Sequence, residues 1–134
     1  MRVFTNGCFD ILHRGHIELF KYCDKLAIPA MGGSVIVGIN SDESVKRLKG
    51  DDRPFNKIED RVEMLRSIKY VNQIIVFEED TPYELIKEIK PRYIVKGGDY
   101  DPQKVVGADL CEVKIFNYMD GYSTTNILES NGHK

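Results

Sequence analysis

Apolar residues fall in short blocks whose spacing switches between strand-like and helical, and that alternation predicts an open α/β sheet. Residues 2 to 5 form a brief strand (Val3, Phe4). A helix follows from about Leu12 to Leu26, with Ile17, Phe20, Cys23 and Leu26 recurring at helical intervals. Ser34-Val35-Ile36-Val37-Gly38-Ile39 is almost continuously apolar and β-branched, the pattern of a strand covered on both faces. A helix is predicted from Lys57 to Lys69, capped by Asn56, with Ile58, Val62, Leu65 and Ile68 on its buried stripe. Val71 to Phe77 reads as a third strand. Asp80 or Thr81 caps the next helix, Pro82 takes its first position, Tyr83, Leu85, Ile86 and Ile89 give its apolar contacts, and Pro91 stops it. Tyr93-Ile94-Val95 is a fourth strand, residues 102 to 106 a short helical or irregular piece, and Cys111 to Phe116 a fifth strand. Gly121 to Leu128 reads as a turn into a final helix, and His133 lies in a polar tail. The alternation predicts a Rossmann-like, doubly wound, mostly parallel five-stranded sheet, with one domain over residues 1–130 and a tail over 131–134.

Composition narrows the function. At 134 residues the chain has room for one domain with a real core. With 19 basic and 21 acidic residues its net charge is −2, which argues against coating nucleic acid or a membrane surface; affinity for phosphate must come from local placement. Cys8, Cys23 and Cys111 form no C-x-x-C pair, so neither a disulfide framework nor a protein-built metal site is expected, and they read as reduced thiols of a cytoplasmic protein. Cys23 is expected in the core and Cys8 as a small apolar filler. No signal peptide or long apolar span is present in the sequence. The chain contains no G-x-G-x-x-G, which removes the main support for a dinucleotide oxidoreductase. Residues 28–33, with Pro29 and paired glycines, form a loop whose role stays open between an oligomer contact and a surface insertion.

The densest chemistry lies in Thr5-Asn6-Gly7-Cys8-Phe9-Asp10-Ile11-Leu12-His13-Arg14-Gly15-His16. This stretch joins the first strand to the first helix, where unpaired helix N–H groups and the helix dipole favour an anion. His13 and His16 are three apart, project from nearly one side, and flank Gly15, which lets a ligand approach the main chain. A histidine pair can hold oxygens whose charge grows in a transition state, whether protonated or neutral. Asn40, Ser41 and Asp42 end the second strand on the same sheet edge. Lys46, Arg47, Lys49 and Arg53 form a basic run that reads either as solvated surface or as a segment folding over phosphates. Lys96-Gly97-Gly98-Asp99-Tyr100 reads either as a plain turn or as a strand end whose glycines let a flat base approach the main chain, and Ser123, Thr124 and Thr125 form a second anion cradle at a helix start. By periodicity alone, Arg61 is one more exposed arginine.

Gly7-Cys8-Phe9-Asp10 followed by His13-Arg14-Gly15-His16 resembles the HxGH signature of the cytidylyltransferase-like nucleotidyltransferases, which join a nucleoside triphosphate to a phosphorylated small molecule and release pyrophosphate. Three further segments, Asn40 to Gly50, Val95 to Tyr100 and Asp120 to Ile127, resemble the adenylyltransferase domains of bacterial ADP-heptose synthases, and the likeness runs from about residue 3 to residue 129. It implies transfer of AMP from ATP to a sugar 1-phosphate, with heptose 1-phosphate the expected acceptor. His13 and His16 would hold the α-to-β phosphate region and Lys46 the incoming or α phosphoryl group. Arg61, in Glu59-x-Arg61, would reach the β and γ phosphates with Ser123 and Thr124. Thr5, Asn6, Gly7, Phe9, Asp10, Gly15, Gly97 and Asp99 would complete the nucleotide site, and Asp42 would join Lys46 on the substrate. Mg²⁺ would bridge the phosphates, liganded mostly by substrate and water. A homodimer is implied by relatives that are commonly dimers. ADP-heptose synthases often carry a sugar kinase domain ahead of the transferase; because this chain opens at its first strand, no kinase is expected. Two rivals stand beside this reading: a CTP-dependent transferase acting on glycerol 3-phosphate or another polyol phosphate, and a non-catalytic nucleotide-binding regulatory module.

Overall fold

The computed structural model describes residues 1–29 and 31–117. The predicted helix over residues 121–128, with Ser123 and Thr124, and the tail with His133 lie outside the described residues. The elements are β1 (Arg2–Gly7), α1 (Arg14–Ala27), β2 (Ser34–Asn40), α2 (Asp42–Lys49), α3 (Ile58–Arg66), β3 (Gln73–Phe77), α4 (Tyr83–Ile89), β4 (Tyr93–Gly97), a 3₁₀ turn (Pro102–Lys104) and β5 (Glu112–Phe116).

The five strands lie in the order β3-β2-β1-β4-β5, and every neighbouring pair is parallel. The predicted doubly wound sheet is therefore present and wholly parallel in the described residues. The chain winds outward from β1 through β2 to β3, then returns to the other side of β1 as β4. A sheet of this kind opens a crevice at the carboxyl ends of the strands where the winding reverses. Here that point lies between β1 and β4.

Alternation along the strands divides the core in two, because successive side chains point to opposite faces. Val3, Val35, Val37, Ile39 and Val95 face Leu19, Phe20 and Cys23 of α1 and Leu65 of α3. Phe4, Ile36 and Ile94 face Ile86 and Ile89 of α4. Cys23 is fully buried in the first cluster, as its helical spacing predicts. No helix among the described residues is long and apolar enough to cross a membrane.

The helix starts depart from prediction in three places. Lys57, not Asn56, is the N-cap of α3, and no side chain caps it. Asn56 instead donates from Nδ2 to the Asp10 carbonyl (2.6 Å) and from its main-chain N–H to Asp10 Oδ1 (2.8 Å). Neither Asp80 nor Thr81 caps α4; Pro82 holds the cap position without a side-chain hydrogen bond. The carboxylate of Asp80 is held by Arg47 instead. Residues 42–49, read from sequence as a polar strand end and a basic run, form a helix. Ser41 caps it by accepting the Ser44 N–H (3.1 Å), Asp42 and Glu43 occupy its first turn, Lys46, Arg47 and Lys49 its last, and Gly50 ends it at φ 108°. This charge order follows the helix dipole.

Gly38 sits in the middle of β2, where an added Cβ would come within 2.8 Å of the Phe4 ring. Phe4 is fully buried and cannot swing aside. Gly38→Ala is expected to destabilise the fold by about 1–3 kcal/mol through overpacking, measured as a lower urea midpoint at unchanged slope.

Candidate active site

A cleft of about 460 Å³ opens at the winding reversal. Asn6 to Asp10 line it from the end of β1 and the following loop, Leu48 and Lys49 from the last turn of α2, Arg53 from the next loop, Asp80 to Pro82 from the β3–α4 connection, and Lys96 from the end of β4. Close packing shapes its floor. Phe9 adopts φ 48°, rare for a side chain of its size, and its ring folds back so that a Cβ on Gly7 would lie 3.1 Å from it. Lys96 is half-buried, and burial lowers its ammonium pKa, with the positive charge of Lys49 acting in the same direction.

His13 and His16 stand at the start of α1 beside this loop. His13 is the N-cap, its Nδ1 accepting the Gly15 N–H (3.0 Å), while His16 Nδ1 accepts the His13 N–H (3.2 Å). This is a capping box built from two imidazoles, in positions where Ser or Thr and Glu or Gln are usual. The rings lie 3.9 Å apart between centroids, and Phe9 meets His16 edge-on at 5.4 Å. Burial, then the neighbouring His13, pushes His16 down to about 3, and burial lowers His13 as well. Both rings are thus neutral at neutral pH. Since each Nδ1 accepts a main-chain proton, each ring carries its own on Nε2.

Beneath the cleft, Arg61 is 1% exposed. Its Nε–H donates to the Asn56 carbonyl (3.0 Å), Nη1 to the carbonyls of Cys8 and Asn40 (both 2.8 Å), and Nη2 to Asp42 Oδ1 (2.6 Å). One guanidinium therefore ties the loop after β1, the end of β2, the start of α2 and the entry to α3. Asp10 makes a second tie, accepting from Arg53 Nε (3.0 Å) and from the N–H groups of Phe55 and Asn56 (both 2.8 Å). Burial alone would raise the Asp10 carboxyl pKa, but those two N–H groups and Arg53 outweigh it and hold it below the usual value.

Comparison with known proteins now decides the family. The cytidylyltransferase-like family model matches residues 4–129. The chain belongs to the cytidylyltransferase-like family. That family makes it a nucleotidyltransferase. It is 56% identical over 128 residues to a protein named bifunctional protein HldE from a Nitratiruptor species, and 48% identical over 132 residues to one of the same name from Haemophilus influenzae. Each match covers 95% of this chain but 27% of the relative, so the chain spans about a quarter of those proteins. Among solved structures, a lipopolysaccharide core biosynthesis protein from Thermoplasma volcanium superposes with a TM-score of 0.67 at 28% identity, over 89% of this chain and 96% of that one.

Within this cytidylyltransferase-like site, the residues singled out from sequence fall into three groups. Asn6, Gly7, Phe9 and Asp10 line the cleft, and His13, Gly15 and His16 build the adjoining helix start. Gly97 ends β4 and Asp99 is exposed just beyond it, neither on the cleft lining. A third group differs from expectation. Thr5 is buried and its hydroxyl donates to the Val95 carbonyl (2.8 Å), joining β1 to β4 rather than facing a ligand. Asp42 is engaged by Arg61. Lys46 lies on the exposed side of α2, 3.8 Å from Glu43, and the lysines that face the cleft are Lys49 and Lys96. Arg61 is internal where periodicity suggested exposure and the resemblance suggested a phosphate contact; in this structure four hydrogen bonds turn it toward protein acceptors. Cys8 is half-buried on the lining, its thiol donating to Asn40 Oδ1 (3.8 Å) and its pKa raised by burial against the pull of Lys49, Arg61 and Arg53.

Replacing Arg61 with leucine leaves buried carbonyls and Asp42 without their donor, so Arg61→Leu is expected to lose about 3 kcal/mol or more in chemical denaturation. Full stability with selective loss of nucleotide affinity would instead make Arg61 a direct phosphate contact. A second expectation concerns acid. The folded pKa of His16 lies far below the ordinary value of 6.5, so the unfolded chain takes up the proton first and stability falls as pH drops from about 6.5 toward 3. His16→Gln keeps an acceptor for the His13 N–H and removes this titration. Between about pH 7 and about pH 4.5 the unmodified protein should lose about 2–3 kcal/mol more than the variant, read from urea midpoints at the two pH values.

Proposed function

We propose that this protein transfers AMP from ATP to a sugar 1-phosphate, with heptose 1-phosphate as the acceptor, and releases pyrophosphate. The observation that carries the reading is the pair of neutral imidazoles, fixed with Nε2–H as donor, at the start of α1 beside a cleft lined by Lys49, Arg53 and Lys96. The likeness of residues 40–50, 95–100 and 120–127 to ADP-heptose synthases and the identity to proteins named HldE support the choice of nucleotide and acceptor.

The attacking group is a phosphate monoester with a second pKa of about 6, mostly dianionic at neutral pH. No general base is required. This agrees with a cleft whose carboxylates, Asp10 and Asp80, are both held by arginines. The chemical burden is to bring two polyanions together in line and to stabilise the charge that grows on the departing pyrophosphate. Lys49 and Lys96 offset the first difficulty. The Nε2–H groups of His13 and His16 serve the second as preorganised donors that need no protonation before reaction.

Among the described residues no group of three or more histidines, cysteines or carboxylates could hold a metal ion, and Asp10 is closed by three donors. An Mg²⁺ ion in this reading would be liganded mostly by the triphosphate and water. Such an ion supplies charge neutralisation between the phosphates.

The test is pyrophosphate release from ATP and, separately, CTP, across heptose 1-phosphate, other sugar 1-phosphates and glycerol 3-phosphate. ATP with heptose 1-phosphate is expected to give the highest kcat/KM; preference for CTP with glycerol 3-phosphate would overturn the assignment. His13→Asn retains an N-cap acceptor but loses the Nε2–H, and both it and His16→Ala are expected to fold and to lose about 10²–10³ in kcat. Near-full activity in either variant would reject the donor role.

A further inference from the structure

One wall of the cleft is built in a way that phosphate binding does not explain. Three residues spaced three apart, Ser41, Ser44 and Arg47, run from the N-cap of α2 along its length and fasten the connection between β3 and α4. Ser41 Oγ donates to Glu78 Oε2 (2.9 Å), Ser44 Oγ to the Glu79 carbonyl (2.9 Å), and Arg47 Nε to Asp80 Oδ1 (2.9 Å), with Nη2 donating to the Glu78 carbonyl. The Ser41 N–H adds a bond to the Phe77 carbonyl (2.9 Å). Residues at this spacing lie along one side of a helix. The seam is engaged by successive residues of a loop that would otherwise run free, and just beyond it Asp80, Thr81 and Pro82 line the cleft. The last turn of the same helix puts Leu48 and Lys49 on that cleft.

The cleft lining therefore combines two kinds of polar group. Lys49 and Lys96, neither with a carboxylate partner among the described residues, give one part a positive character. Asp80, whose charge is offset by Arg47, and Thr81 add hydrogen-bond acceptors to the same lining. A ligand with one phosphate and several neutral hydroxyls matches both kinds of group, since carboxylate and threonine oxygens accept from alcohol O–H groups while the ammoniums meet the phosphate.

We propose that residues 80–82 read the non-reacting hydroxyl groups of a polyhydroxylated acceptor, and that Arg47, assisted by Ser41 and Ser44, is the positioning residue that holds this reader in place. The proposal rests on the nucleotidyl-transfer reading above and adds to it which wall recognises the acceptor and what holds that wall.

The experiment is steady-state pyrophosphate release by the full chain, unmodified and as Arg47→Met, Arg47→Lys and Thr81→Val, varying ATP and heptose 1-phosphate separately and repeating with a deoxy sugar 1-phosphate. Arg47→Met and Thr81→Val are expected to raise the acceptor KM by about tenfold, the loss of roughly one hydrogen bond. Their KM for ATP should stay within about twofold of the unmodified value by the same reasoning, and preference for the fully hydroxylated acceptor should shrink. Arg47→Lys, which keeps the charge beside Asp80 but not the second bond, should fall between. An effect of Arg47 on folding alone would lower activity without altering the preference between the two acceptors, and thermal unfolding of each variant separates the two. Unchanged acceptor KM and preference, or an equal rise in KM for ATP, overturns the proposal while leaving the transferase reading intact. No pyrophosphate from the unmodified protein with any sugar phosphate overturns both.

Discussion

Most of the cleft depends on one buried guanidinium. A parallel sheet delivers its strand ends to one edge, but it does not say how the loops leaving those strands sit relative to one another. Arg61 makes that decision by donating to carbonyls in three separate segments and to the carboxylate that opens α2. An arginine suits this place because its planar fork serves several acceptors at fixed angles and stays charged. The cation is enclosed without a net electrostatic fault, since Asp42 supplies the opposite charge and the carbonyl oxygens complete its shell. Asp10 and Arg53 repeat the device nearer the surface, so the loop after α2 that carries Arg53 is drawn back to the cleft.

The two histidines show how helix formation and chemistry use the same atoms. Their Nδ1 positions accept N–H groups that every helix start leaves open, which fixes both rings and their tautomers at once. Burial, and for His16 also the neighbouring His13, then keeps each ring from gaining a second proton at neutral pH. Donor geometry here is a by-product of capping, and the helix cannot form in this way without also presenting it.

The strands and helices were largely legible because their signals are local. Ser34 to Ile39 could be read as a doubly covered strand from its residues alone, and the alternation of such blocks leads to the observed winding. Thr5 and Arg61 were not legible in the same way. A threonine in a site motif and an arginine on a helix carry no mark of which acceptors lie 90 or 53 positions away, and those partners decide whether the side chain turns inward. The choice of Lys46 over Lys49 has another origin. Residues 41–50 carry a capping serine, early acids, late bases and a closing glycine, a complete helix signature. The resemblance names Lys46, while the helical phase of this segment sets Lys46 outward and Lys49 on the cleft. Lys96 could be seen as the residue before two glycines, but its place on the lining comes from the pairing of β4 with β1, which sequence spacing does not convey.

The position of β1 has a consequence for how the molecule is made. Of the five described strands it comes earliest in the chain, yet it is the middle one in the sheet. Its side toward β2 can be filled once residue 40 has left the ribosome, whereas its other side waits for Tyr93 and Ile94. Between those two points the nascent chain carries a half-covered central strand with an open row of N–H and C=O groups, a template for misplaced pairing. How long that hazard lasts is set by the order in which strands are translated, not by how stable the completed sheet becomes.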